Sequence, residues 1–507
     1  MKFNQTACRL IHHPLLIVAI LALALTGCGS GSDDDATGYI KFYNAASNAP
    51  AIFMSIDEDL DDDPDDEIEL TYSSVAYAQV SATNELEKGK YYVELAYQDE
   101  QSTDRSDLAL IYQQQLKINK DQIKFVVLTN DIRDPNVLTY DIDIVDDDED
   151  SDDDLFNLRL LNLSSQYDTV DLYVSKDNET FNEAELIGTV NYEELTDNLK
   201  LEQDQYIYYI TLPGSTEVLY TSDDISYASV NQYIIVIRDN AGVGSSPFSI
   251  DSIGNNGVTE LNDIDSESTF SFYNAIAVDE LDNSLPGYQG QVDINVSLKN
   301  DNSLSISNLA EGHFSESTTT ANGDYNFDGL NSDNGEIYIR KALLSLKENA
   351  DNAIFLYGQK TAVDEDGDGV VDENEDGIVD AYETKIKSMA VTKNNSTSLY
   401  NHTMKLINLT DSDDFSRVTF YFVMNNESIT TAENSASVLQ EKTSSVSLLN
   451  NTYDVYAVAA IDGTDVILDT YYLVLDEDSE DQFVIFESDT SAASGFKMTF
   501  VDQQAAQ

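Results

Sequence analysis

Tyr39-Ile40-Lys41-Phe42-Tyr43-Asn44 alternates apolar and polar residues and stops at an asparagine. The same form returns as Leu158-Arg159-Leu160-Leu161-Asn162, Phe270-Ser271-Phe272-Tyr273-Asn274 and Met404-Lys405-Leu406-Ile407-Asn408. A period of two marks a half-buried strand, and asparagine starts a turn by bonding nearby backbone. After each asparagine a variable loop leads to a second strand, Ile52 to Ile56, Val170 to Val174, Val292 to Leu298 and Val418 to Val423. A tyrosine-bearing strand introduced by turn residues follows: Gly89-Lys90-Tyr91, Asp204-Gln205-Tyr206, Gly335-Glu336-Ile337-Tyr338 and Asn451-Thr452-Tyr453. Each unit then closes with a hairpin, such as Lys124 to Leu128 with Leu138 to Val145.

The asparagines at 44, 162, 274 and 408 are spaced by 118, 112 and 134 residues, the size of whole domains and too long for a solenoid. About seven short strands per unit predict an all-β chain of four tandem antiparallel β-sandwich domains, although a small barrel would read much the same. The boundaries fall at 38–145, 155–262, 263–399 and 400–507. The run Asp146 to Asp154 is an acidic linker between the first two units, because blocks of like charge cannot pack.

The N-terminus carries Lys2 and Arg9, an apolar run from Leu15 to Leu25, and then Leu25-Thr26-Gly27-Cys28. That is a signal-peptide pattern over 1–27, too short for a permanent span, and 28–37 follows as a flexible tether. Leu25 to Cys28 resembles the lipobox of bacterial lipoproteins, which implies cleavage before Cys28 and acylation of its thiol. Several acyl chains give stable anchoring. Gly29 in place of an Asp implies, by the same resemblance, the outer membrane, with its periplasmic and outer faces both open. Cys8 leaves with the leader, so no disulfide framework and no catalytic thiol are available.

A net charge of -68, from 94 acidic and 26 basic residues, disfavours nucleic acid and anionic head groups and attracts cations. In salty surroundings most of that charge serves solubility, since screening acts over about 8 Å.

The openings Asn44-Ala45-Ala46-Ser47-Asn48-Ala49-Pro50-Ala51 and Leu163-Ser164-Ser165-Gln166-Tyr167-Asp168-Thr169-Val170-Asp171-Leu172-Tyr173-Val174 resemble an uncharacterised domain family of bacterial envelope lipoproteins. The resemblance implies immunoglobulin-like sandwiches and an envelope location, and names no reaction. It covers units one and two better than units three and four, which lack the Ala-Pro element.

Within the third unit, Asp364, Asp366, Asp368, Gly369, the Val370 carbonyl, Asp372 and Glu375 match the calcium-loop template at positions one, three, five, six, seven, nine and twelve. The pattern restarts at Asp372, with Asn374, Asp376, Gly377, the Ile378 carbonyl, Asp380 and Glu383. Two Ca2+ ions sharing Asp372 are expected in loop 364–383. Flanking strands, Ile354 to Tyr357 and Lys385 to Val391, separate this from a paired EF-hand. The overlap resembles thrombospondin type 3 calcium repeats; the competing reading is an acidic, glycine-rich solvated turn.

For catalysis the inventory is thin. Past the leader only His313 and His402 occur, in no zinc or triad spacing, and no carboxylate pair stands out. The expectation is a non-enzymatic binding or adhesion module for a protein or polysaccharide, anchored to the membrane by its lipid. A passive calcium-stiffened stalk is the alternative, and an enzyme acting on an extracellular polymer ranks third. An exposed aromatic patch would favour binding; the absence of Trp leaves tyrosine to supply it.

Overall fold

The computed structural model describes residues 36–59, 69–99, 107–145, 154–255, 257–277, 285, 287–298, 303–363, 382–395 and 397–503. The expectations for the leader, for Cys28 and for 146–153 of the acidic linker lie outside the described residues.

The last unit has the simplest form. Its eight strands are Asn401–Asn408, Arg417–Met424, Asn434–Leu439, Lys442–Leu449, Asn451–Ile461, Thr464–Leu475, Gln482–Ser488 and Phe496–Asp502. Strands four, one, seven and eight make one sheet, in that order, and strands three, two, five and six make the other. The third unit repeats this order over Glu267–Ala275, Gln291–Ser297, Ser303–Ala310, Thr318–Ala321, Gly323–Asn331, Ile337–Leu346, Asp351–Ala362 and Tyr382–Thr392. In the first unit the fourth strand is split into Gln79–Val80 and Asn84–Glu87; the second unit splits its sixth into Val218–Thr221 and Ile225–Ser226 and adds a further strand, Val258–Leu261, beside its eighth. The chain is therefore all-β and built of sandwiches.

Eight strand positions rather than seven recur in every unit, and one pair in each is parallel: the first with the seventh. Direction follows from parity. Consecutive strands reverse, so odd strands run together, and the one place where two odd strands become neighbours is the pairing of one with seven. Every other ladder is antiparallel.

The sheet of strands three, two, five and six obeys the alternation read from the sequence. In Arg417–Met424, Val418, Phe420 and Phe422 are buried in the core of the fourth unit, beside Val455, Ala457, Val484 and Phe486. The seventh strands do not alternate. Phe125-Val126-Val127-Leu128, Ile234-Ile235-Val236-Ile237, Ile354-Phe355-Leu356-Tyr357 and Phe483-Val484-Ile485-Phe486 are buried throughout. Such unbroken apolar runs belong to strands covered on both faces. One face of each closes its own sandwich, and the other meets a neighbouring unit. Phe125, Val127 and Ile142 of the first unit pack on Leu161, Ile234 and Val236 of the second. Ala353, Phe355 and Tyr357 of the third pack on Ile407, Phe483 and Ile485 of the fourth. We call these buried sheets the inner sheets and the others the outer sheets.

The repeated asparagines explain how each unit holds its two sheets together. Asn44, Asn162, Asn274 and Asn408 are 0% exposed. In each, Oδ1 accepts the backbone N–H two residues on, at 3.2, 3.0, 3.1 and 3.1 Å. Their Nδ2 atoms donate across the sandwich to the carbonyls of Val75, Val190, Leu309 and Val438, at 3.1, 3.4, 2.9 and 3.2 Å. Each asparagine both starts a turn and ties its inner sheet to the outer one.

The fifth strands carry the second repeated tie. Tyr91, Tyr206 and Tyr453 donate their hydroxyls to the carbonyls of Glu87, Glu202 and Leu449, four residues back, at 3.0, 2.8 and 2.9 Å. This is a tyrosine corner. In the third unit the equivalent residue is Tyr325, bonded to the Ala321 carbonyl. The assignment to Gly335 through Tyr338 is therefore corrected: Tyr338 lies one strand later, in Ile337–Leu346. A glycine turn precedes both strands, and the spacing of Gly323-Asp324-Tyr325, which matches Gly89-Lys90-Tyr91, separates them.

Candidate functional site

Four contacts close the units into a ring. The first and second stack through their inner sheets, as do the third and fourth. The second and third meet through two amides: Asn349 Nδ2 donates to Asn240 Oδ1 at 2.7 Å, and Asn349 Oδ1 accepts Gly244 N–H at 2.9 Å. The approach is close: a Cβ on Gly242 would stand 2.1 Å from Asn349 Oδ1 and would displace that amide. The fourth returns to the first through Tyr400, whose ring stacks on Tyr97 with centroids 4.7 Å apart and planes 7° apart, and the junction residue before it, Leu399, donates its N–H to the Asn48 carbonyl at 3.2 Å.

At the centre lies a cleft of about 1070 Å³, walled by Tyr77 and Gln79 of the first unit, Asn240 and Asn262 of the second, Asn349 of the third, Asn401 and Ser447 of the fourth, and Asn395 between the last two. A cavity of this size suits a small ligand or a few residues of a polymer.

Beneath one wall sits a buried ionic group. Arg238 donates from Nε to Asp251 Oδ2 at 2.8 Å, from Nη1 to Tyr77 Oη at 3.2 Å, and from Nη2 to Glu260. Tyr43, from the facing unit, donates its hydroxyl to the same Asp251 oxygen. Burial alone would lower the Arg238 pKa; Asp251, Tyr77 and Tyr43 together outweigh it and hold the guanidinium charged. The Tyr43 hydroxyl is pushed well up by burial and then by Asp251. The matching position between units three and four is less balanced. Tyr273 reaches Glu487 Oε1 at 3.5 Å, while Lys497 Nζ stands 3.6 Å away and the Thr499 hydroxyl 3.3 Å. Burial pushes the Glu487 carboxyl up to about 7, against the opposing pull of Lys497.

The outer sheet of the fourth unit presents tyrosines to solvent. Tyr421 and Tyr456 are register partners, and Tyr472 stands opposite Asp454, two residues back from Tyr456. Their strand neighbours Phe420, Phe422, Val455 and Leu473 point into the core, so the tyrosines point out; Tyr472 is 62% exposed.

Of the expected calcium ligands, Asp364, Asp366, Asp368, Val370, Asp372, Asn374, Glu375, Asp376, Ile378 and Asp380 lie outside the described residues. Glu383 is described, on the eighth strand opposite Thr361, with its carboxylate 2.6 Å from Lys385 Nζ. Both side chains are more than half exposed, so this pair is worth little and does not prevent Glu383 from turning to an ion. The loop's two ends are held side by side by the pairing of Ala362 with Tyr382. Among the described residues no group of three or more His, Cys, Asp or Glu side chains is placed to hold a metal. His402 is buried with Nε2 2.7 Å from Asn450 Oδ1, and His313 Nδ1 lies 2.8 Å from the Glu311 carbonyl. Neither lines the cleft. Among the described residues no helix is long and apolar enough to cross a membrane.

Sequence reasoning did not foresee the cleft. The signal was present in the four unbroken seventh strands, which announce that each inner sheet is covered twice.

No family model matches the chain, and no curated protein matches it. Among solved structures, the Bacillus anthracis TIE protein is 10% identical over 91% of this chain and 76% of its own, with a TM-score of 0.15. A multi-modular glycogen-degrading pneumococcal virulence factor, SpuA, is 8% identical over 86% of this chain and 38% of its own, at 0.14. BcpA, the major pilin subunit of Bacillus cereus, is 9% identical over 66% of this chain and 99% of its own, at 0.13. Likenesses this faint carry no argument; the fold rests on the sheets and registers above.

Proposed function

We propose that this protein is a lipid-anchored, non-catalytic component of the bacterial outer membrane whose four sandwiches form one platform for binding or adhesion to a protein or polysaccharide. The observation that supports it most is the ring closure, which brings loops from all four units to one cleft. In this reading Cys28 carries the lipid and loop 364–383 binds two calcium ions that order the tip of the third unit's last hairpin. The same ring closure weighs against the passive stalk. A spacer gains reach by joining units end to end, whereas here the inner sheets stack face to face and the fourth unit folds back onto the first.

Two experiments test the reading. Labelling cells with a tagged fatty acid marks the wild-type protein and leaves Cys28→Ala unlabelled; equal labelling removes the anchor from the proposal. Capture from envelope extracts, with calcium and with chelator, retains a defined protein or glycan on the wild type. A protein that retains neither under either condition does not serve as a binding platform.

A further inference from the structure

We infer that the central cleft binds an uncharged oligosaccharide segment, an assignment that rests on the binding reading above and gives it a site and a ligand class. The lining chemistry decides the class. Six asparagines, Asn240, Asn262, Asn349, Asn394, Asn395 and Asn401, face one cavity, with the hydroxyls of Thr392, Thr403 and Ser447 among them. An amide offers two donors and an acceptor with two lone pairs, and a sugar hydroxyl is also both donor and acceptor, so the two match in either sense. A cation only donates and would leave amide N–H groups without partners; an anion only accepts and would leave amide oxygens.

Charge points the same way. The cleft holds Arg238 and Lys347 against Asp223, Glu260 and Glu348, in a chain of net charge -68. Arg238 is already held by Asp251, Glu260 and Tyr77, so it does not supply a free anion site. An anionic polymer would meet a repulsive field. Tyr77 contributes an aromatic side chain to the wall, fixed by Arg238, which bonds its hydroxyl and lies over its ring 5.3 Å from the centroid, so a sugar ring would meet the opposite face.

Part of the lining is built and part is free. The Asn240 and Asn349 amides are locked to each other and to Gly244, which fixes the wall between units two and three. Asn262 and Asn395 make no side-chain hydrogen bond among the described residues, and both are only half-buried, leaving two lining amides, from different units, open to a ligand.

The test is calorimetric titration of the full-length protein in detergent with cellohexaose, maltohexaose and N-acetylchitohexaose. Hexagalacturonate is the anionic arm and hexalysine the cationic one. At least one neutral hexasaccharide binds, hexagalacturonate does not, and an Asn262→Ala, Asn395→Ala double variant weakens binding at least tenfold. That variant removes no internal bond, so it folds as the wild type does, which its melting temperature checks. Binding abolished by Tyr472→Ala and kept by the double variant places the sugar on the outer tyrosine face; it overturns the cleft assignment and leaves the binding platform standing. Binding of hexalysine alone, lost in the double variant, overturns the ligand class. No binding by any neutral probe overturns the inference, and envelope capture then decides separately whether the platform reading falls with it.

Discussion

Phe483→Ala separates the closed arrangement from four independent domains. Phe483 is fully buried on the inner sheet of the fourth unit, but its ring faces the third unit: it meets Phe355 edge-on at 5.4 Å and Phe314 nearly parallel at 5.9 Å. Truncating a buried Phe to Ala costs about 3–5 kcal/mol. The two ring contacts supply roughly 1–3 kcal/mol of that, at about 0.5–1.5 each, and lost burial the rest. Because neighbouring Val484 and Phe486 point into the fourth core, the loss falls on the contact between units. If units three and four melt as one body of roughly 240 residues, each kcal/mol lowers Tm by about 2–4 °C, giving a fall of roughly 6–20 °C. Scanning calorimetry on the variant should then resolve separate transitions for the two units, and small-angle scattering should report a larger radius of gyration. Phe486→Ala, which strikes the fourth core against Phe420 at 5.9 Å, is the control: it should unfold the fourth unit without first separating the pair. A Phe483→Ala protein with an unchanged radius and a single undivided transition would refute the coupling.

Asn408→Ala should lower stability by about 1–3 kcal/mol in a denaturant titration, because the Thr410 N–H and Val438 carbonyl lose a buried partner; Asn425→Ala, at an exposed turn, should change it little. The third–fourth interface should weaken with rising pH. Glu487 has its folded pKa raised to about 7 from 4.5, so its contribution is fully present below about pH 4.5 and lost as pH rises through 7. The loss is on the order of 3 kcal/mol by the free energy of such a shift. Glu487→Gln should remove this part of the pH dependence, measured as the difference between variant and wild type at pH 5 and pH 8; identical pH profiles would sink the idea. Calcium should bind with coupled affinities as weak as roughly 10⁻⁴ to 10⁻³ M. Calorimetry in excess magnesium should show that uptake lost in an Asp368→Ala, Asp376→Ala variant, and equal uptake would reduce the loop to a solvated acidic turn.

Local chemistry made some of this fold legible. The Asn44, Asn162, Asn274 and Asn408 turns were readable because an asparagine at a strand end has few alternatives, and the second strands because one face of an outer sheet is wet. The parallel pair was not legible, since register between strands 75 to 84 residues apart leaves no local mark. Tyr325 was missed because two successive strands of the third unit each follow a glycine. The ring itself was half legible. Ile234-Ile235-Val236-Ile237 could not be a half-buried strand, but nothing in those residues says whether a loop, a second chain or another unit covers the second face.

The position of the buried tyrosines argues that units three and four repeat the pair formed by one and two. Tyr43 and Tyr273 occupy the same place, one residue before the repeated asparagine turn of their units, and each sends its hydroxyl into the neighbouring unit toward a buried acid. Leu161 and Ile407 stand there in the even units, apolar where the odd units are polar. The building block is then a two-sandwich pair, and the chain carries two of them. The pairs differ where it matters for strength: Asp251 is matched by Arg238 at 2.8 Å, whereas Glu487 has Lys497 at 3.6 Å and a pKa near neutrality. Breaking a buried ion pair from one side costs about 3–5 kcal/mol. The first pair is therefore fixed across the pH range in which the second loosens. Since Arg238 also anchors Tyr77, the cleft wall built by the first pair should stay in place while the wall contributed by the fourth unit moves.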